Sequence, residues 1–118
     1  MKTIFIVDDS DTNLMTAEKS LEDDFRVLTL PSADKMFSLL GKITPDLILL
    51  DIEMPVMNGF EALEKLKSSS SWGNIPVIFL TGTIDASIED KSQKLGAAGI
   101  ITKPFSSQAL LDIINLHI

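Results

Sequence analysis

The sequence predicts a doubly wound α/β fold of the (βα)5 type, with one five-stranded parallel sheet covered by helices on both faces. Three observations lead there. Short apolar runs alternate with helix-like segments five times over 118 residues. The third run, at 46–50, is apolar at nearly every position, as a strand covered on both faces should be. Four polar sites, Asp8-Asp9, Asp51, Thr81 and Lys103, stand just downstream of the runs at 4–7, 47–50, 77–80 and 100–101. In an open α/β sheet, ligands bind at the carboxyl ends of the strands, so the predicted fold gathers these side chains at one edge.

The elements follow in order. Residues 3–7 form the first strand, and 11–24 the first helix, with Leu14, Ala17 and Leu21 at helical spacing. Residues 25–30 are β-rich. Pro31-Ser32 opens a helix carrying Met36, Leu39 and Leu40, closed by Gly41 and Pro45. Residues 46–50 form the third strand. Asn58-Gly59 leads into a helix with Phe60, Leu63 and Leu66 on one side and Glu61 and Lys65 as an i,i+4 pair. The polar stretch 68–74 is a loop, which puts Trp72 at the sheet edge away from the polar cluster. Residues 75–81 form a strand with Pro76 near its start, where proline is tolerated. A weak helix at 85–95 ends at Gly96, a short strand occupies 99–102, and the last helix runs over 106–117.

Alternating β and α segments imply right-handed crossovers. Five strands suit the flavodoxin-like order 2-1-3-4-5, whose switch point lies between strands 1 and 3. Asp8-Asp9 follows strand 1 and Asp51 ends strand 3, so the carboxylates flank the crevice the topology predicts.

Composition narrows the function classes. The length fits one domain, 1–118, and 45% hydrophobic residues suffice for a sizeable core. A formal charge of −7 disfavours direct binding to nucleic acid or an anionic membrane. Cysteine is absent, which excludes disulfides and thiolate metal sites. No apolar stretch approaches the roughly 20 residues of a membrane helix, and the run after Met1 is too short for a signal-peptide core. The expectation is a soluble, cytoplasmic domain, either a stand-alone regulator or a piece of a longer one.

Clustered carboxylates raise one another's pKa unless a cation relieves them. Mg²⁺ prefers one or two carboxylates together with waters and phosphate oxygens. Three aspartates against one Mg²⁺ and the Lys103 ammonium leave the cluster neutral. An aspartate so neutralised can attack a phosphoryl donor and form an aspartyl phosphate. Lys103 and Thr81 would then contact the new anionic oxygens.

Val7-Asp8-Asp9-Ser10, the run from Asp51 through Met54-Pro55 to Gly59, Thr81-Gly82 and Lys103-Pro104-Phe105 together resemble the response-regulator receiver domain of two-component signalling, of the chemotaxis-regulator kind. The gaps are 30 residues from Asp51 to Thr81 and 22 from Thr81 to Lys103, and the resemblance covers essentially the whole chain. It implies Asp51 as phosphoacceptor, with Asp9 and Asp51 ligating Mg²⁺ directly. Asp8 would act largely through a metal-bound water, and the Glu53 backbone carbonyl would complete the protein ligands. Thr81 would be the switch hydroxyl and Lys103 the phosphate-pairing cation, with Lys103-Pro104 often cis. The implied partners are a sensor histidine kinase or a histidine phosphotransfer protein, and an output domain or target protein. The implied assembly is a monomer or a weak phosphorylation-dependent dimer.

One position departs from the pattern. The family usually carries Tyr or Phe three residues before the lysine, and this chain has Ile100. Phosphorylation is therefore expected to repack the surface of the fourth and fifth helices by loop movement more than by a ring flip. Glu53 and Thr83, two beyond Asp51 and Thr81, are expected to affect phosphoryl lifetime. Met54, Met57 and Phe105 read as packing, Gly59 as backbone geometry, and His117 as a helix-end cation without a ligand role. Leu110, Ile113 and Ile114 should face the core. Leu111, Leu116 and Ile118 are then surplus, either a contact surface or ordinary exposed residues.

Three other readings compete. A haloacid-dehalogenase-type phosphatase also uses an aspartate nucleophile, but after the first strand and usually with a cap. A flavodoxin-like electron carrier needs a hydroxyl- and Gly-rich phosphate loop where this chain has Asp8 to Asp11. A docking-only receiver would have lost part of the acidic set, which here is intact.

Overall fold

The computed structural model describes residues 1–118. Five strands, β1 (Thr3–Val7), β2 (Arg26–Leu30), β3 (Leu47–Asp51), β4 (Val77–Thr81) and β5 (Gly99–Thr102), alternate with five helices. The helices are α1 (Asp11–Leu21), α2 (Ala33–Leu40), α3 (Gly59–Lys67), α4 (Ala86–Leu95) and α5 (Ser107–His117). All strand pairs are parallel and the order is β2-β1-β3-β4-β5, as the sequence implies.

Alternate residues of each strand point to opposite faces, and two cores result. Phe5, Val7, Ile48, Leu50, Val77 and Phe79 pack against α2 and α3 on one face, with Ile88 and Leu95 of α4 at its margin. Ile4, Ile6, Leu47, Leu49, Ile78 and Leu80 pack against α1 and α5 on the other. Neither face of a central strand meets water, which explains their unbroken apolar sequence.

Helix starts are set by side chains that accept otherwise orphaned N–H groups. Ser10, Ser32, Asn58, Asp85 and Ser106 cap the five helices in turn. Asn58 forms a reciprocal capping box with Glu61. Gly96, at φ 89°, ends α4 in the left-handed conformation that favours glycine.

Two boundaries differ from the sequence expectation by more than one residue. Helix α1 stops at Leu21, because Glu22, Asp23 and Asp24 are exposed and put negative charge at the negative end of the helix dipole. Strand β4 begins at Val77, two residues late, because Pro76 has no N–H to give a neighbouring strand. Trp72 lies in the loop between α3 and β4, at the sheet edge opposite the polar cluster. It is half-buried with its ring 5.8 Å from that of Phe37.

At the C-terminus Leu110 and Ile114 are buried, and Ile113 and Leu111 half-buried. Leu116 projects outward with 79% of its surface exposed, so it contributes nothing to the core. No helix is long and apolar enough to cross a membrane.

Candidate functional site

The register of the central strands brings the polar ends together. Val7 pairs with Leu50, and Asp51 with Leu80, so Asp8, Asp51 and Thr81 leave the sheet side by side. Thr81 pairs with Thr102, which places Lys103 just beyond the same edge. The Lys103 N–H donates to the Thr81 carbonyl at 2.7 Å, and the Lys103–Pro104 peptide is cis.

Asp8, Asp51 and Thr81 are buried, at 0%, 1% and 0% exposure. Asp9 and Glu53 are exposed at the mouth of the site. Lys103 is mostly covered, and its ammonium donates to Asp51 Oδ1 at 3.0 Å and to Asp8 Oδ2 at 3.4 Å. Two backbone N–H groups complete the pairings: Ser10 donates to Asp8 Oδ1 at 2.9 Å, and Glu53 to Asp51 Oδ1 at 3.3 Å. The capping role at α1 falls to Ser10, which leaves the Asp8 carboxylate to face Lys103.

Burial and charge set the protonation states. Burial pushes the Asp51 carboxyl up from 3.8 to about 7; the Lys103 hydrogen bond opposes this, and the nearby Asp8 and Glu53 charges add to it. Burial alone would lower the Lys103 pKa, but its bond to Asp51 and the Asp51 and Asp8 charges together raise it above 10.5. The lysine therefore stays an ammonium, while Asp51 awaits a further cation to be fully ionised at neutral pH.

The donor set fits such a cation. One carboxylate oxygen from each of Asp8, Asp9 and Asp51 can be chosen so that all three lie within 4.8 Å of one another. Hard oxygen donors in that number suit Mg²⁺, with water completing its shell.

Thr81 makes a contact that sequence reasoning missed. Its hydroxyl lies 2.9 Å from Glu53 Oε1, across the gap between the loops that follow β3 and β4. The signal was present, since adjacent parallel strands in this register put residues just past Asp51 beside Thr81. The side-chain direction was not legible from spacing alone.

The surroundings behave as packing. Met54 is buried, and Met57 and Phe105 are half-buried against the two cores. Gly59 serves close approach rather than an unusual dihedral: a Cβ there would stand 2.8 Å from the Ile52 Cα, against the backbone that carries Asp51. Ile100 is half-buried beside Phe79 in register, and it lines a cleft with Ile84, Glu89 and Ser92 between α4 and β5.

Residues 4–115 match the family described as the response regulator receiver domain. Protein PilH of Pseudomonas aeruginosa is 34% identical over 98% of this chain and 96% of its own length. A probable cyclic di-GMP phosphodiesterase of Vibrio cholerae is 35% identical over 98% of this chain but only 26% of its own. Other curated relatives are also longer; this chain spans 17% to 52% of three of them. The crystal structure of the Vibrio cholerae chemotaxis protein CheY4 superposes with a TM-score of 0.95 at 27% identity, covering 100% of this chain and 99% of that one.

Proposed function

The chain belongs to the response regulator receiver domain family, and on that premise we propose that Asp51 accepts a phosphoryl group in a Mg²⁺-dependent reaction. The observation that carries the reading is the pairing of a buried Asp51, 1% exposed, with the Lys103 ammonium at 3.0 Å, in a cluster of three carboxylates.

Asp9 and Asp51 would hold the ion directly, Asp8 through water, and the Glu53 backbone carbonyl would be the remaining protein ligand. When bound, Mg²⁺ neutralises the carboxylates and draws charge from the phosphoryl oxygens. The protein's own part is positioning. Burial strips water from Asp51, and the Lys103 hydrogen bond fixes its Oδ1. Oδ2 has no protein donor and is the attacking oxygen in this scheme. A carboxyl that titrates near 7 is partly protonated at neutral pH and a poor nucleophile in that form. Its proton must pass to solvent before attack, and a cation held by Asp9 and Asp51 would favour the ionised form. After transfer, Lys103 pairs with a phosphoryl oxygen and the Thr81 hydroxyl donates to another.

The phosphoryl source is a phosphohistidine on a sensor kinase or phosphotransfer protein, and the readout surface is α4, β5 and α5. Ile100 in the usual aromatic position argues that the β4–α4 loop carries more of the change than a ring flip does. A cytoplasmic location and an output module or target protein belong to the same proposal.

The test is incubation of the purified chain with Mg²⁺ and a small acyl phosphate donor, followed by intact mass measurement. One acid-stable, base-labile phosphoryl adduct is expected, absent in Asp51→Asn. An adduct that persists in that variant overturns the assignment, and multiple turnover on phosphate esters would favour a phosphatase.

A further inference from the structure

The Thr81 side chain is buried, yet its hydroxyl touches the carboxylate of Glu53, a residue exposed at the mouth of the site. The same oxygen lies 2.9 Å from the Thr83 carbonyl and accepts the Thr83 N–H at 3.3 Å. A hydroxyl has one proton and serves one acceptor at a time. A carboxylate is the stronger acceptor, so Glu53 takes the proton and ties the end of β4 to the β3–α3 loop, 28 residues away in sequence.

From this geometry we propose that Glu53 is a latch on Thr81: its carboxylate engages the hydroxyl in the unphosphorylated protein and must let go before Thr81 can donate to a phosphoryl group on Asp51. The inference rests on Asp51 being the phosphoacceptor. It goes beyond that reading by giving the Glu53 side chain a positioning role separate from its backbone carbonyl. Two features support it. A phosphoryl group brings about 1.5 to 2 negative charges to a site the Glu53 carboxylate already faces, and both anions want the same proton. Glu53 is also exposed, so its carboxylate can swing into water without losing buried contacts.

The latch opposes the phosphorylated state through Thr81, and this separates it from simple charge repulsion. The experiment measures beryllofluoride affinity by NMR titration at saturating Mg²⁺ in wild type, Glu53→Ala, Thr81→Val, the double variant, Thr81→Ser and Glu53→Ala/Thr81→Ser. A hydrogen bond to a charged but exposed group predicts that Glu53→Ala tightens binding about three- to tenfold. The gain should persist with serine at 81, which keeps the donor, and fall below about twofold with valine. An equal gain in the valine background overturns the latch and leaves repulsion alone. No gain in the wild-type background overturns it as well. Failure of every protein, wild type included, to bind beryllofluoride overturns the phosphoacceptor reading itself, an outcome distinct from both.

Discussion

Replacing Lys103 with methionine removes the cation that touches both buried carboxylates. Asp8 and Asp51 are 0% and 1% exposed, and the ammonium sits 3.4 and 3.0 Å from them. Removing one partner of a buried ion pair costs about 3–5 kcal/mol, because the other charge is stranded. The Lys103 side chain keeps 17% of its surface in water, which lowers the expected loss to about 2–4 kcal/mol. The loss depends on pH, with a sign set by Asp51. Its carboxyl titrates near 7 in the folded chain against 3.8 ordinarily, so between those values the folded state holds a proton that the unfolded state has released. Stability of the metal-free protein therefore falls as pH rises from about 4 to about 7, then levels off. Without Lys103 the folded value climbs further and the fall extends past 7. Urea unfolding in chelator should show Lys103→Met losing about 1–2 M of midpoint at about pH 8, given an m-value of about 2 kcal/mol/M. At about pH 5.5, with Asp51 protonated in both proteins, the loss should be smaller, because the Lys103–Asp8 contact is then the main one removed. An equal loss at both pH values, or none at the higher one, would show that the Asp51 charge does not set the cost of losing Lys103.

Gly59→Ala forces a Cβ to within 2.8 Å of the Ile52 Cα, so α3 or the end of β3 must move. A cost of about 1–3 kcal/mol is expected, with phosphorylation slowed about tenfold or more as Asp51 shifts; thermal unfolding and the rate with a small phosphodonor read the two effects. Val56 sits at φ 69° with 97% of its surface exposed, a left-handed conformation that a β-branched residue resists. Relief of about 1–2 kcal/mol, less the entropy glycine loses on folding, predicts that Val56→Gly raises Tm by about 2–5 °C. A lower Tm would contradict it.

The sheet was legible because each central strand is a short run of consecutive apolar residues, and the site because Asp8, Asp51, Thr81 and Lys103 end those runs. Parallel order and register then follow from topology. What spacing did not reveal was local. The end of α1 depended on three acidic residues set against the helix dipole, and the start of β4 on one missing N–H at Pro76. The positive φ of Val56 and the reach of Glu53 to Thr81 depend on loop geometry. Neither leaves a periodic trace in sequence. The Asp51 pKa shift follows from burial, which only the packed fold reveals.

In the proposed reaction one carboxylate among three becomes the acyl phosphate. Borohydride reduces an acyl phosphate to an alcohol, so trapping the phosphorylated chain should convert a single aspartate to homoserine, located by peptide sequencing in the mass spectrometer. Conversion is expected at Asp51 and at neither Asp8 nor Asp9. Homoserine at either of those positions, or an unmodified Asp51 in fully phosphorylated protein, would contradict the proposed reaction.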